Sequence, residues 1–330
     1  MYEQPDSIQS IESGSLQGPG LAGQSIFVVA NPRAAHGDVG RRWPQILAQL
    51  QAALGPVAFA HTDAPQAATG LTRKALRAGH DVILSLGGDG THNEVVNGFF
   101  ENGAPINPKA ALGLLPCGTG GDLRKTLGLS GDMNQAIERI MAGVRTPCDV
   151  GHIQYISNTG ALAERHFINI ASFGISGLVD VKVNNSSKAL GGKASFMLGV
   201  IKALAEYTPQ DVHMVIDDHI DVQVNINTVA IANGRYFGGG MMVAPHARLT
   251  DGMFDIVIIR PLELSQMLRH SVKLYEGRHL ESPHVSHLQA RKIYAEPLRD
   301  GEDILLDVDG EAPGRLPATF ELIPSGINLL

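Results

Sequence analysis

The stretch Ile83–Gly98, ILSLGGDGTHNEVVNG, joins an apolar strand to a helix through a turn with three glycines and one aspartate. Gly87, Gly88 and Gly90 have no Cβ, so we expect the backbone to adopt positive φ there and to bring N–H groups close to an anion. The positive end of the following helix also attracts negative charge. Asp89 would repel phosphate unless a divalent cation or a reacting proton lies between them. The stretch therefore predicts a turn that binds phosphate and takes part in a reaction. An ordinary strand-to-helix turn is the alternative.

Length and composition are those of a folded globular protein. The chain has 330 residues, enough for two domains with separate cores, and its hydrophobic content is 44%. A formal net charge of −7 argues against nucleic acid as the main partner, because binding a polyanion needs a basic face. The two cysteines, Cys117 and Cys148, are too few for a disulfide framework and favour a reducing compartment.

The N-terminal residues 1–23 are expected to form a flexible tail. They lack the basic start and apolar core of a secretory signal. No uninterrupted apolar segment in the chain approaches the roughly eighteen residues that cross a bilayer. A cytoplasmic location is the resulting expectation.

The first half of the chain alternates apolar runs with helical patterns. Strands are predicted at Ser25–Asn31, Val57–His61, Asp81–Leu86 and Ala111–Leu115. Helices are predicted at Val39–Leu54, Ala64–Ala78 and Thr91–Glu101. This rhythm predicts an α/β domain over residues 24–149 with a doubly wound, mostly parallel sheet. Ligands bind such sheets at the carboxyl ends of the strands, so the turns that begin at Asn31, Gly87 and Pro116 are expected to converge.

After about Asp149 the pattern changes to strand-like segments, which predict a largely antiparallel β-rich domain over residues 150–317. The predicted strands are His152–Ile156, His166–Ser172, Asp211–Ile216, His219–Ala232, Phe254–Arg260, His284–Ala295 and Ile304–Val308. Helical patterns lie near Lys193–Glu206 and Leu262–Tyr275. The last stretch, 318–330, contains a candidate strand at Ala318–Ile323 that returns to the first domain.

Five motifs follow one another along the chain. They are Asn31-Pro32, GGDGTHNE at Gly87–Glu94, LLPCGTGGDL at Leu114–Leu123, LTDGMFD at Leu249–Asp255 and DGE at Asp309–Glu311. Together they resemble the diacylglycerol kinase catalytic-domain family, which includes bacterial soluble diacylglycerol kinases, sphingosine kinases and ceramide kinases. The resemblance covers about residues 24–330. It implies an α/β domain like that of NAD kinases, followed by a mainly antiparallel β-sandwich domain for the lipid substrate.

The resemblance also implies which residues contact ATP. They are Asn31, Thr62, Gly87, Gly88, Asp89, Gly90, Thr91, His92, Asn93 and Thr119. The chain departs from the family pattern in two places. Ala34-Ala35 stand where Ser-Gly is usual, so a hydroxyl contact is lost, and Gly121-Asp122 stand where Asn-Asp is usual. Gly113–Thr119 lacks the lysine of a P-loop, which excludes a Walker site.

Two magnesium sites follow from the same resemblance. Asp89 and Asp122 are implied to organise a catalytic Mg²⁺ through water. Asp251 is implied to hold a structural Mg²⁺ together with the backbone carbonyls of Arg248 and Met253. From the residues alone, Asp251 and its following glycine are equally compatible with a simple turn.

Glu311 matches the general base that is proposed for the family, with Asp309 as its partner. In related sphingosine kinases the aspartate of the glycine motif is the favoured base, so Asp89 is the alternative. A carboxylate near the acceptor suits this step, because the proton of the attacking hydroxyl must be removed. Asp309-Gly310 is also a common hairpin signal, so a plain β-turn is the other interpretation.

A lipid acceptor requires contact with a membrane. The segment Val181–Ala205 has four lysines, no acidic residue and several large apolar side chains. We hypothesise that it rests on an anionic bilayer, which would make the protein a peripheral membrane enzyme. A helix that packs on the β domain and leaves its lysines in solvent is the alternative.

The leading functional hypothesis is ATP- and Mg²⁺-dependent phosphorylation of a lipid hydroxyl, with diacylglycerol converted to phosphatidate in phospholipid biosynthesis. Ceramide, a sphingoid base or phosphatidylglycerol are alternative acceptors. NAD kinase also uses a GGDGT turn, but its expected Asn-Glu acceptor motif is not found downstream. A non-catalytic nucleotide or lipid sensor is the alternative of another class, and a homodimer is compatible with the sequence.

Overall fold

The computed structural model describes residues 20–117, 121–184, 206–262, 266 and 272–330. They belong to two compact units. Unit 1 contains the chain up to Cys148 together with Ser325–Leu330, and unit 2 contains Asp149–Pro324. Leu21, inside the predicted flexible tail, is fully buried in the core of unit 1, so packed structure begins before residue 24.

Unit 1 is built on a parallel sheet. Its elements are β1 (Ile26–Ala30), α1 (Ala34–Leu54), β2 (Ala58–His61), α2 (Ala67–Arg77), β3 (Val82–Gly87), α3 (Asp89–Gly98), β4 (Phe100–Glu101), β5 (Ala104–Pro105), β6 (Ala111–Pro116), α4 (Asp122–Thr126) and α5 (Met133–Ala142). The strand order is β6-β3-β1-β2, and every pair is parallel. The predicted doubly wound, mostly parallel sheet is confirmed.

The core of unit 1 forms because the sheet is apolar along its length. All five residues of β1 are buried, and α1 covers the sheet with Trp43, Ile46 and Leu50. The Trp43 ring lies 4.9 Å from that of Phe59 on β2. Residues 35–37 of α1 have left-handed backbone angles, so regular helix begins after Gly37, close to the predicted start at Val39.

Unit 2 is mainly antiparallel. Its elements are β7 (Thr146–Ser157), β8 (Leu162–Phe167), β9 (Ile170–Gly174), α6 (Ile175–Asn184), β10 (Gln210–Ile216), β11 (Ile220–Ile226), β12 (Thr228–Ala232), β13 (Phe254–Ile259), β14 (Val285–Ala290), β15 (Lys292–Pro297), β16 (Leu306–Val308) and β17 (Gly314–Leu329). One sheet has the order β14-β13-β12-β9-β16, and a second contains β11-β10-β15-β17 and the β7–β8 hairpin. Phenylalanines fill the space between them, with the Phe167 and Phe254 rings stacked 5.5 Å apart.

Three predicted strands of unit 2 are each two strands in the structure. His166–Ser172 is interrupted between β8 and β9, His219–Ala232 at Asn227, and His284–Ala295 at Arg291. The first interruption has a clear cause, since the backbone N–H groups at 168–170 bind a side chain instead of a neighbouring strand. The apolar alternation changes phase near the other two points, where Ile226 is followed by Val229 and Ala290 by Ile293, a shift that the prediction of single strands overlooked.

The last strand, β17, is longer than the predicted Ala318–Ile323. Within unit 2 it pairs antiparallel with β15, where Ala318 lies opposite Ala295. Its final residues belong to unit 1, where Asn328 and Leu329 pair in parallel with Ala111 and Leu112 of β6. Unit 1 is therefore assembled from two separate parts of the sequence.

Most of the segment proposed to contact a membrane, Val181–Ala205, lies outside the described residues. The helix predicted at Lys193–Glu206 also falls there, apart from Glu206. Within the described part, Lys182 at the end of α6 forms an ion pair with Glu206. Among the helices that the structure describes, none combines the length and apolarity of a membrane span.

Candidate active site

The glycine turn connects β3 to α3 and holds Asn31 at the end of β1. Asn31 Nδ2 donates to Thr91 Oγ1 over 3.0 Å, and the Asn31 backbone N–H donates to the carbonyl of Leu86. A Cβ on Gly87 would lie 2.5 Å from the Thr91 side chain. Only glycine fits at this position, because Thr91 packs directly against its Cα.

The backbone of the turn differs from the expectation of positive φ. Gly88 is extended with φ of −100°, and neither Gly87 nor Gly90 has a positive φ. Helix α3 begins at Asp89, two residues before the predicted start, because the chain enters it directly from the extended Gly88. Close approach, rather than left-handed geometry, explains the requirement for glycine at position 87.

Asp89 connects the glycine turn to the loop after β6. Its Oδ2 accepts hydrogen bonds from the backbone N–H groups of Gly121 at 2.7 Å and Asp122 at 3.1 Å. The other carboxylate oxygen, Oδ1, is buried and has no hydrogen-bond partner among the described residues. Cys117 N–H donates to the Gly87 carbonyl in the same place. The turns that begin at Asn31, Gly87 and Pro116 thus lie together in unit 1.

Gly121, which departs from the family pattern, has the left-handed angles that glycine favours, with φ of 82°. A Cβ there would lie 2.8 Å from Arg124 Nε, so the Arg124 side chain occupies the space that a side chain at 121 would need. Asp122 is buried and its Oδ1 accepts from Lys125 Nζ at 2.9 Å. The departure at 121 is therefore accommodated by Arg124.

His92 and Asn93 lie beneath the glycine turn. His92 is 5% exposed and Asn93 is 1% exposed. His92 Nδ1 lies 2.8 Å from Ser85 Oγ, and burial lowers the pKa of His92 to about 4, although Asp89 opposes the shift. The ring is consequently neutral near pH 7. Thr62 follows β2 and donates its backbone N–H to Ala30, whereas Thr119 lies outside the described residues.

In unit 2, Asp309-Gly310 forms a tight hairpin turn. Both residues have positive φ, 51° and 85°, as a type I′ turn requires. Val308 and Glu311 exchange backbone hydrogen bonds across it. The Asp309 carboxylate accepts from the N–H groups of 168–170 at 2.9–3.1 Å and so fixes the turn to the corner between β8 and β9.

Glu311, at the end of this turn, is paired with an arginine. Its Oε2 lies 3.1 Å from Arg165 Nη1, and the Arg165 side chain is only 14% exposed while that of Glu311 is 43% exposed. The buried phenol of Tyr155 lies close enough for both charges to act on its pKa, which burial raises. The half-exposed carboxylate of Glu311 is thus held at the hairpin by the largely buried Arg165.

Unit 2 also contains a cluster of acidic side chains around Asp251. Asp251 Oδ1 accepts from the Met253 N–H at 3.1 Å, and Asp149 Oδ2 accepts from the Gly252 N–H at 2.7 Å. Burial raises the pKa of Asp251, and the charges of Asp255 and Asp149 add to this effect. A divalent cation would relieve this unfavourable concentration of negative charge.

The donor set limits how such a cation could be held. Within the described ranges, no group of three or more His, Cys, Asp or Glu side chains has a metal-binding arrangement. A cation at Asp251 would therefore need backbone carbonyls, such as those of Arg248 and Met253. Oxygen ligands of this kind suit Mg²⁺ and Ca²⁺.

Sequence reasoning missed Arg165, Ser85 and Asp149. The signal for Arg165 was its position in β8, where it shares a strand face with Ala163 and the buried Phe167. A charged residue on a core-facing position needs a partner. Ser85 lies inside an apolar strand and gave a similar but weaker signal, and nothing in the local sequence distinguished Asp149.

Comparisons with known families cover nearly the whole described chain. Residues 25–153 match the diacylglycerol kinase catalytic domain. Residues 169–330 match the YegS C-terminal NAD kinase beta sandwich-like domain. Both halves of the expected architecture are matched in order, and the predicted resemblance to the diacylglycerol kinase family is confirmed.

Individual relatives agree with this assignment. A diacylglycerol kinase of Bacillus subtilis strain 168 is 28% identical over 295 residues, which are 89% of this chain and 91% of that protein. A diacylglycerol kinase of Staphylococcus epidermidis is 29% identical over 294 residues, 89% of this chain and 87% of that protein.

Solved structures establish the fold. A diacylglycerol kinase from Bacillus anthracis str. Sterne superposes with a TM-score of 0.72 at 24% identity, covering 93% of this chain and 96% of that one. Yeast NADH kinase complexed with NADH superposes with a TM-score of 0.53 at 13% identity, covering 99% and 87%. The predicted combination of an NAD-kinase-like α/β domain and an antiparallel β domain is confirmed.

Proposed function

We propose that the protein transfers the γ-phosphoryl group of ATP to the hydroxyl of a lipid, with diacylglycerol as the acceptor and Mg²⁺ as the cofactor. The observation that carries this proposal is the arrangement of Asp89. One carboxylate oxygen is fixed by two backbone N–H groups, and the other is buried beside three converging turns with no partner in the described part of the chain. The choice of diacylglycerol is supported by the relatives that carry that name.

The residues of unit 1 fit a nucleotide with its metal. A buried carboxylate oxygen without a hydrogen bond is unfavourable, so Asp89 Oδ1 is suited to a water molecule of a hydrated cation. Asp122, at the start of α4 and paired with Lys125, is the second carboxylate near this turn. Bound Mg²⁺ would neutralise charge on the phosphates during transfer. Asn31 and Thr91, linked by their side chains, would fix the edge of the phosphate-binding turn.

The geometry favours Glu311 over Asp89 as the general base. Asp89 Oδ2 already accepts two hydrogen bonds that hold the loop, whereas the Glu311 side chain is 43% exposed and available to an acceptor hydroxyl. Glu311 would take the hydroxyl proton as the lipid oxygen attacks the phosphorus, and ADP would leave. Asp309 would act indirectly, by fixing the hairpin.

The reaction can be tested directly with the full chain. Radiolabelled ATP is offered with a mixture of diacylglycerol, ceramide, sphingosine and phosphatidylglycerol in mixed micelles, with Mg²⁺ or with EDTA. We expect labelled phosphatidate, formed only with Mg²⁺. Label in another lipid would identify that lipid as the acceptor in place of diacylglycerol. No label in any lipid would contradict lipid phosphorylation. A parallel assay for NADP formed from NAD tests the alternative kinase.

Replacing Glu311 by glutamine tests the base. An amide cannot accept the proton, so turnover should fall about 100- to 10,000-fold while ATP affinity and thermal stability stay close to wild type. Glu321→Gln is the matched control, because Glu321 is a half-exposed carboxylate of unit 2 that pairs with Lys292. Wild-type turnover in Glu311→Gln would reject Glu311 as the base and leave Asp89 as the candidate.

A further inference from the structure

Arg139, in the last turn of α5, is a partly buried cation for which the described residues supply no ion pair. Its Nη2 is buried and has no hydrogen-bond partner among the described residues. Burial alone lowers the pKa of Arg139, with no contribution from a carboxylate. Arginine is rarely buried in folded proteins unless it is paired, since an unsatisfied charged donor is strongly unfavourable. Among the described residues nothing satisfies this donor, so it is available to an external acceptor.

Arg139 lines a cavity of about 180 Å³ beside the glycine turn. The polar residues of its lining are His92, Arg124, Ser130, Gln135 and Arg139, and no carboxylate lines it. The carboxylate of Asp132, outside the lining, caps α5 through the Gln135 N–H. His92 is neutral, so the charged side chains that line this cavity, named here the arginine cavity, are the two arginines.

The size of the arginine cavity limits the ligand. A water molecule in liquid takes about 30 Å³, so the space holds roughly six waters, well below the roughly 300–1,000 Å³ of pockets for drug-sized molecules. A volume of this size suits a single tetrahedral oxyanion with a few waters better than a drug-sized molecule, and the planar guanidinium fork is suited to bind such an anion.

We propose that the arginine cavity binds one phosphate-type oxyanion, held by Arg139 and Arg124. Arg124 donates one N–H to the Leu129 carbonyl at 3.3 Å, and its guanidinium has further donors for an anion. The oxyanion is either free phosphate or the phosphomonoester headgroup of a lipid. Because the cavity is lined by His92 and Pro116, which adjoin the glycine turn, its occupancy is expected to alter nucleotide affinity.

This inference concerns binding and does not depend on the proposed reaction. Thermal unfolding of the full chain is measured with increasing inorganic phosphate, against sodium chloride at equal ionic strength. We expect a saturable rise in Tm with phosphate alone. Arg139→Met should lose this rise, with phosphate affinity reduced about tenfold or more, because a charge-assisted hydrogen bond is removed.

The stability of Arg139→Met without anion separates a binding role from a structural one. Methionine fills a similar volume without an unpaired charge, so the variant should unfold at a temperature equal to or above that of wild type. Arg41→Met is the matched control, since Arg41 is a largely exposed arginine of unit 1, and it should keep the response to phosphate. A strong loss of stability in Arg139→Met, or a response to phosphate that equals wild type, would overturn the proposal.

Two further arms identify the source of the oxyanion. Flotation with phosphatidylcholine vesicles, with and without phosphatidate, tests the lipid headgroup, and Arg139→Met should lose any phosphatidate-dependent binding. Phosphate binding alone identifies a free anion, and phosphatidate binding alone identifies the headgroup. The proposal fails if neither binds, or if ATP displaces phosphate equally from wild type and Arg139→Met, because the phosphate would then lie in the nucleotide site.

Discussion

At the scale of single residues, the polar groups in both units are fixed by unusually specific partners. Asp89 uses one oxygen to bind the loop at Gly121 and leaves the other buried, while Glu311 is supported by a nearly buried arginine. In both cases the candidate carboxylate is fixed by protein groups in a structure without a ligand. Such preorganisation is what phosphoryl transfer requires, because most of its catalysis is positioning and electrostatic stabilisation.

Arg165 is expected to act as a positioning residue for Glu311. Arg165→Met keeps the apolar packing of the side chain but removes the ion pair, so turnover should fall about tenfold to 100-fold with little change in the KM for ATP. Arg165→Lys should recover part of the loss. Steady-state kinetics across pH provide the readout, because a purely structural role would lower the amount of folded protein without changing the pH profile.

His92 makes the free energy of unfolding of unit 1 depend on pH. Burial lowers its pKa from 6.5 to about 4. Below pH 6.5 the unfolded chain takes up a proton at His92 that the folded chain does not. The stability that the neutral His92 ring allows is therefore fully present above pH 6.5 and is lost as the pH falls towards 4. The loss between pH 7 and pH 4 should be about 3 kcal/mol.

Urea unfolding of wild type and His92→Gln at several pH values measures this effect. Glutamine does not titrate and can still bind Ser85. The free energy of unfolding of wild type should decrease more steeply below pH 6.5 than that of the variant. If the free energy of unfolding changed with pH in the same way in both proteins, burial would not lower the pKa of His92.

At the scale of elements, the hairpin between β16 and β17 depends on one carboxylate. Asp309 accepts three backbone hydrogen bonds, so Asp309→Ala should lower the free energy of unfolding by about 3 kcal/mol. Asp309→Asn retains one acceptor oxygen and tolerates positive φ, so its loss should be smaller. Asp303→Ala, which removes an exposed carboxylate nearby, is the control. Equal stability of all three variants in denaturant would contradict the anchoring role.

Most of the elements could be predicted from the sequence because their patterns are local. The apolar run of β3, the glycines after it and the Asp309-Gly310 turn all have short-range signals. The interruption between β8 and β9 could not be predicted, since it depends on a carboxylate 140 residues away from Asn169. The pairing of Arg165 with Glu311 has the same cause, as it joins residues 146 apart in the sequence.

The candidate site was predicted unevenly for a similar reason. Family motifs indicated Asp89, Asp122 and Glu311, but not what each carboxylate binds. The motif suggested Asp309 as a partner of Glu311, whereas its carboxylate holds the backbone at 168–170. His92 was predicted as a nucleotide contact and is buried against Ser85, which only the packing of α3 on β3 reveals.

At the scale of the whole molecule, unit 1 depends on residues from both parts of the sequence. Leu330 is 3% exposed and its N–H donates to the Leu112 carbonyl. Leu330→Ala should therefore lower the stability of unit 1 by about 2–4 kcal/mol. The chain has one tryptophan, Trp43 in unit 1, so its fluorescence in urea follows that unit.

Leu298→Ala is the control for this measurement, because Leu298 is 43% exposed in unit 2. It should leave the Trp43 transition unchanged. An unshifted transition in Leu330→Ala would mean that the end of β17 contributes little to unit 1.

The position of β17 also matters while the protein is being made. Residues up to Cys148 leave the ribosome well before Ser325–Leu330, and at ordinary rates of translation the interval is roughly 10–35 s. During that interval Ala111 and Leu112 of β6 lack their final strand partner. The nascent chain consequently exposes an unpaired apolar edge of β6 until the end of β17 has been synthesised.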